Sequence, residues 1–445
     1  MHILRWLCPG LKIKRWLLLA FAGVVLVVMG FSAASGTAVL AGWEAQLNEV
    51  FFMWFGGLIG PAGVVMAMLG LMFFVCGFSL CVKSIMETLA PEKNHRVLDS
   101  VYQKRYLARG PKIVAIGGGT GLSTLLRGLK EYSSNLTAIV TVTDDGGSSG
   151  MLKGDFDMLP PGDIRNCLVA LADTEGSMQR LFDYRFEKGG GLAGHSLGNL
   201  LLAAMKEMEG DFYKAVKEVE SVLAVRGNVV PSTLTKVTLG AQMESGTIVY
   251  GESKIAAAAE RIQRVFLVPK KCRPPEEAVQ AVKDADIVVL GPGSLYTSVI
   301  PNLLIKGIVE ALERTRASIF YVCNIMTQPG ETDGFDAVDH LSAINSHVGS
   351  ELVDFVVVNA EHIPNHLLRR YHEEGASPVA SSVDRLRSMG VQVLADNFLD
   401  DSSFVRHNSL QLARTILKHA AYSNGTRLET KAGAGNGVKT VVDKT

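Results

Sequence analysis

The residues best suited to chemistry in this 445-residue chain lie between Lys112 and Asn166, on three turns crowded with glycine, proline and acid. The first, Gly117-Gly118-Gly119-Thr120-Gly121-Leu122, follows a β-branched run and opens an apolar-periodic helix. Glycine lets the backbone approach a ligand closely, and the free N–H groups of a helix start favour an anion, so this turn suits a phosphate. It is neither of the two familiar phosphate loops. G-x-G-x-x-G needs a glycine where Leu122 stands, and the P-loop needs a Gly-Lys-Ser/Thr ending that is absent.

The second turn, Asp144-Asp145-Gly146-Gly147-Ser148-Ser149-Gly150, ends the strand expected at Thr137–Thr143. In an open parallel sheet, ligands bind outside the carboxyl ends of the strands, so both turns would border one crevice. Paired acids there can hold a sugar hydroxyl, bind Mg²⁺ or take a proton. The plainer alternative is that they cap a turn, as Asp commonly does before glycine. The third turn, Pro160 to Asn166, puts Asp163 in the first turn of a helix with Arg165 and Asn166 behind it. There the plain alternative is an N-cap and a solvent-facing arginine. If a metal binds, Asp144 and Asp163 are the candidate ligands and Mg²⁺ the candidate ion.

Three later segments repeat the pattern. GLAGHSLGNLLLAAM sets His195, Ser196 and Asn199 at a helix start, although a lone histidine is more often simply hydrogen-bonded. Gly291-Pro292-Gly293-Ser294 follows the buried-type strand Ile287–Leu290, and Asn324 ends the strand Ile319–Cys323. Tyr371 is a candidate to stack on a pyrimidine and Arg406 to pair with a diphosphate, against the bland alternatives of a helix-face tyrosine and a surface arginine.

The elements that must hold these turns alternate. Strands are expected also at Ile113–Ile116, Phe355–Asn359 and Val391–Leu394, with helical stretches between most of them and a last helix at Ser409–Tyr422. This argues for an α/β, Rossmann-like, doubly wound and mostly parallel sheet. Residues 237–255 alternate apolar and polar about a Glu-Ser-Gly turn, which predicts an inserted β-hairpin.

The first hundred residues are different in kind. Trp16–Ala34 and Phe51–Val82 are uncharged and long enough to cross a bilayer, which predicts a two-helix transmembrane hairpin at 16–82. Lys and Arg flank the pair on its outer ends, while the connector Ala41–Val50 has neither, so both termini are expected in the cytoplasm and Trp43 and Trp54 at the outer interface. The organisation is then a cytoplasmic N-terminus (1–15), the anchor, a juxtamembrane linker (83–110), the α/β domain (111–422) and a disordered tail (423–445). Formal charge is zero, so no nucleic acid is expected as partner, and six scattered cysteines without a C-x-x-C pair exclude a zinc or disulfide framework.

Taken in order, GGGTGLS, DDGGSSG, PPGDIRN, GLAGHSLGN, GPGSLYTS and YVCNIMTQPGET resemble the YvcK family, labelled gluconeogenesis factor, within the superfamily of 2-phospho-L-lactate transferase. The likeness covers about Pro111 to Lys418. It implies binding of a nucleotide sugar such as a UDP-sugar, a role in cell shape and envelope synthesis on gluconeogenic carbon sources, protein partners in envelope synthesis or its regulation, and a homodimer. The resemblance attaches no reaction. A membrane-tethered binding protein is therefore expected first, a Mg²⁺-dependent phospho-group transferase second and an NAD-dependent oxidoreductase last, for want of the third glycine.

Overall fold

The computed structural model describes residues 13–35, 59–89, 106–173, 175–400 and 405–423, which divide into two compact units, one within Met1–Lys104 and one within Arg105–Thr445. The expected connector, most of the linker and the tail lie outside the described residues, as do Trp43 and Trp54.

In the first unit, α1 (Ile13–Ser35) and α2 (Ile59–Leu89) are antiparallel and each is long and apolar enough to span a membrane. The second helix ends later than the expected span Phe51–Val82, because Lys83 to Leu89 continue the helical pattern past the apolar run, and the expected residues 51–58 lie outside the described residues. Glycines at seven-residue spacing line the contact. A Cβ on Gly23 would lie 2.4 Å from the Phe74 nitrogen, one on Gly30 2.4 Å from that of Ala67, and one on Gly70 2.6 Å from that of Val27. The two backbones therefore touch, as small residues permit between helices in lipid. Leu18, Phe21, Val65 and Met68 point outward, as lipid-facing side chains would.

In the second unit the chain winds twice. It runs through β1 (Ile113–Gly117), α3 (Gly119–Leu129), β2 (Leu136–Val140), α4 (Gly147–Asp155), α5 (Gly162–Leu171) and α6 (Leu197–Glu209) to β3 (Asn228–Pro231). After β4 (Thr238–Met243), β5 (Ile248–Tyr250), α7 (Glu252–Ala257) and β6 (Ile262–Val268), it continues with α8 (Glu276–Asp284), β7 (Ile287–Leu290), α9 (Lys306–Arg314) and β8 (Ser318–Val322). Then come β9 (Phe355–Asn359), α10 (Asn365–Glu373), β10 (Gln392–Asp396) and α11 (Ser409–Ser423). The main sheet has the order β10-β9-β8-β7-β1-β2-β3, with every neighbouring pair parallel. All five β1 residues are buried, as a strand covered by helices on both faces requires.

The order reverses between β1 and β7. From β1 the chain first builds outward through β2 and β3, then returns to the other side of β1 and builds outward again. That is the topological switch point at which open α/β sheets bind ligands.

The expected hairpin is real but incomplete: β4 and β5 pair antiparallel about the Glu244-Ser245-Gly246 turn, and β6 joins β4 to make a separate three-stranded sheet. The strand expected at Thr137–Thr143 stops at Val140. Beyond it β1 has already turned into its glycines, so the last bond is Thr141 N–H to the Gly117 carbonyl, and the Thr141 and Thr143 hydroxyls bond each other at 3.0 Å instead.

Candidate functional site

The first glycine turn forms a wall with a different environment on each side. On one side, a Cβ on Gly118 would lie 2.5 Å from Asp163 Oδ2 and 2.6 Å from Thr141 Cγ2, so only glycine fits. On the other, a Cβ on Gly121 would lie 2.5 Å from the Pro292 carbonyl oxygen, where the turn after β7 closes against it.

On the Gly121 side is a cleft of about 430 Å³ that gathers Thr120, Gly121, Gly293, Ser294, Asn324, Tyr371 and Arg406. Gly293 N–H donates to Asn324 Oδ1 at 3.2 Å, tying the β7 turn to the β8 turn. The Tyr371 hydroxyl accepts from Val405 N–H at 3.1 Å, so the tyrosine on α10 holds the backbone next to Arg406 at the cleft. Thr124, Gln328 and His407 also line it and carried no sequence signal. Burial pushes the His407 imidazole down to about 4, so it is neutral at physiological pH. Leu122 does not reach the cleft, since its side chain is fully buried in the core. Gly117 ends β1, and Gly291 takes a φ of +77°, which suits glycine at the base of its turn.

On the Gly118 side is a buried acidic corner. Burial raises the Asp163 carboxyl to about 6; a bond from Gly119 N–H opposes the rise, while the Asp144 charge adds to it. Asp144 Oδ1 accepts from Gly146 N–H at 2.9 Å, and its other oxygen faces Gly162 at the start of α5. Asp145 turns away from its neighbour and accepts from Ser253 N–H at 2.9 Å, pinning the first turn of α7. Asp144 thus caps its own turn, as in the plain alternative, whereas Asp145 binds the start of a distant helix.

Two carboxyls join the corner unannounced by the sequence. Burial raises Glu252 to about 9, assisted by the charges of Asp144, Asp163, Glu331 and Asp145. Burial likewise raises Glu331 to about 7, against bonds from Thr297 Oγ1 at 3.1 Å and from backbone N–H groups. Each has one oxygen, Oε2, buried and without a partner. Gln328 Nε2 donates to Glu331 Oε1 at 2.9 Å, so a residue of the cleft reaches the corner. Oxygen ligands suit Mg²⁺, which keeps several waters and needs only one or two carboxylates. Asp144 and Asp163 fit that role, although among the described residues no three His, Cys, Asp or Glu side chains are grouped to hold an ion by themselves.

Behind the corner the remaining candidates form one polar network. Ser148 Oγ is 3.0 Å from His195 Nδ1 and accepts from Asn199 Nδ2 at 3.0 Å. Arg165 donates to Ser196 Oγ at 2.5 Å and to Asn166 Oδ1 at 2.6 Å, and its Nε is buried without a partner. Arg165 is therefore turned inward, not to solvent. Gly147, at a φ of +44°, opens α4, and Ser149 is buried against Gly162.

A parallel sheet with glycine turns and convergent polar groups at its switch point defines a Rossmann-like class of α/β protein with a candidate ligand site at that edge. A crystal structure of a UPF0052 protein from Bacillus halodurans, 49% identical in sequence, superposes with a TM-score of 0.67 over 69% of this chain and 99% of that one. The family model described as 2-phospho-L-lactate transferase CofD matches residues 113–399. The chain belongs to this family and, within it, to the gluconeogenesis factors of the YvcK type. The Bacillus subtilis gluconeogenesis factor is 47% identical over 312 residues, 70% of this chain and 98% of that protein. A Nostoc protein carrying the same name in provisional form is 44% identical over 428 residues, 93% of this chain and 92% of its own length. The Nostoc match extends into the N-terminal hundred residues, whereas the Bacillus subtilis protein has no length left to match them.

Proposed function

We propose that the protein is a membrane-anchored regulatory protein that binds a nucleotide sugar of the UDP-sugar type and passes its level to partners in envelope synthesis during gluconeogenic growth. The observation that carries the reading is the convergence of Tyr371 and Arg406, from the last third of the chain, on the glycine and Asn324 turns of one 430 Å³ cleft. A ring to stack on, a planar cation and glycine turns that let the backbone approach closely are what a base and a diphosphate need. The volume lies in the range of small-molecule sites. Two apolar helices fit a hairpin anchor with both termini and the α/β domain on the cytoplasmic side of the inner membrane.

One observation favours a second reading, Mg²⁺-dependent transfer of a phospho-group: the spare carboxyl oxygens of Glu252 and Glu331 near Asp144 and Asp163. There Asp144 and Asp163 would hold the ion, which would supply Lewis-acid stabilisation of phosphate charge. Calorimetric titration of the full-length protein in detergent with UDP-sugars, with and without Mg²⁺, separates the two. Saturable binding of a UDP-sugar recovered intact supports the regulatory reading. Mg²⁺-dependent cleavage of the ligand replaces it with the transferase.

A further inference from the structure

A second cavity, of about 530 Å³, opens between α8, α9 and the segment after β6, and shares no lining residue with the glycine-turn cleft. Its charged lining is Lys270, Lys271, Arg273, Lys283, Lys306 and Arg314 against Glu276 and Glu310: six cations and two acids, an excess of four positive charges. The whole chain has a formal charge of zero, so this is a local concentration and not a reflection of composition. Glu310 lies 3.5 Å from Lys306 and offsets part of that one charge. Glu277, the other acid in the first turn of α8, is committed to Tyr213 and to Lys217 at 2.8 Å.

The distribution of these charges carries the argument. Lys283 and Arg314 lie in the last turns of α8 and α9, where a cation is favoured by the helix dipole and needs no ligand. Lys306 occupies the first turn of α9, which has no acid and no side-chain cap, and Lys270, Lys271 and Arg273 lead into the start of α8. Lys306 at a helix start opposes the dipole, and the gathered cations repel one another; a bound anion reverses both effects. The floor beneath them is apolar, made by Cys272, Val279 and Ala311, and Pro274 closes against Gly307, where an added Cβ would lie 2.9 Å from the ring.

We propose that this cavity is a second anion site that takes a small phosphate-bearing molecule with an apolar body. The phosphate lies among Lys270, Lys271, Arg273 and Lys306, and the body rests on the Val279–Ala311 floor. A cavity of this volume suits a small molecule better than an extended acidic peptide, for which a longer groove is the usual host. The inference goes beyond the nucleotide-sugar reading and stands if that reading fails.

The test is calorimetric titration of the full-length protein in detergent with inorganic pyrophosphate and with adenosine 5′-monophosphate, adenosine serving as the phosphate-free control. Three proteins are compared: wild type, Arg406→Ala in the cleft, and the double variant Lys271→Glu/Arg273→Glu, whose side chains are exposed and whose fold is checked by thermal melting. The expected result is a saturable pyrophosphate-binding event that persists in Arg406→Ala, whatever is lost at the cleft, and that the double variant weakens at least about tenfold. Absence of saturable pyrophosphate binding at millimolar concentration overturns the proposal, as does binding abolished by Arg406→Ala. Capture of an acidic peptide by the wild type without pyrophosphate binding also overturns it, assigning the surface to a protein partner. UDP-sugar titration of the same proteins reports on the cleft alone.

Discussion

The two flanks of the glycine turn are built from opposite kinds of surface. The Gly121 flank is a cleft that gathers two glycine turns, the Tyr371 ring and the Arg406 guanidinium, a lining that suits negative charge. The Gly118 flank holds four carboxyls in a corner where burial keeps Asp163, Glu252 and Glu331 above their ordinary range and like charges add to the rise at Asp163 and Glu252. One flank wants an anion; the other wants a proton or a cation. A turn of successive glycines can serve both because neither face carries a side chain that would choose between them.

That contrast is open to attack at each residue. Gly118→Val disturbs both flanks at once, since its side chain meets Asp163 and Thr141; destabilisation of about 1–3 kcal/mol and loss of UDP-sugar binding are expected, read by thermal melting and calorimetry. Arg406→Ala acts at the cleft, and a lost charge-assisted bond to phosphate should weaken UDP-sugar binding roughly 10- to 100-fold in the same calorimetry. Tyr371→Phe keeps the ring but removes the acceptor that holds Val405 N–H, so about a fivefold weakening is expected by the same titration.

The smallest effect sharpens the comparison most. An acid whose folded-state pKa lies above its unfolded one binds more protons when folded, so stability falls as pH rises through the window between them. For Glu252 that window runs from near 4.5 to about 9. Glu252→Gln should remove its share of the decline and raise the melting temperature at pH 8 by on the order of 2–4 °C, with little change at pH 4 and none in UDP-sugar affinity. If affinity falls as well, the flanks form one site.

The glycine and acid turns were legible because each is local: a strand, a turn and a helix start within a dozen residues. Gly117, Asp144, Gly291 and Asn324 follow from that grammar and from the rule that parallel strands share a ligand edge. Glu252 and Glu331 were not, because nothing in GESKI or PGETD separates a buried glutamate from a surface one. Their burial comes from α7 lying between the Asp145 turn and Gly330, where an added Cβ would lie 2.3 Å from the Ala256 carbonyl oxygen. Tyr371 and Arg406 were singled out as a stacking ring and a diphosphate partner, but from their own neighbours a surface role stood equally open, and only the resemblance tipped it. β3 and β6 went unread: Asn228–Pro231 has only four residues, and β6 interrupts its apolar pattern with Gln263 and Arg264. The heptad glycines of the N-terminal helix pair were present in the letters, and a search for seven-residue spacing would have found them.

The winding of the main sheet also sets a timetable. β1 needs β7 on its second edge, yet the Gly291–Ser294 turn is synthesised more than 170 residues after Gly117, and Arg406 later still. At ordinary ribosomal speeds of about 5–20 residues per second, the first glycine turn waits roughly 9–35 s for its facing wall. Through that interval one edge of β1 has unpaired backbone groups beside a finished β2 neighbour, the kind of edge that pairs with strangers. The half-made domain therefore passes through its most adhesive state while still attached to the ribosome, and slow codons after β3 would lengthen it.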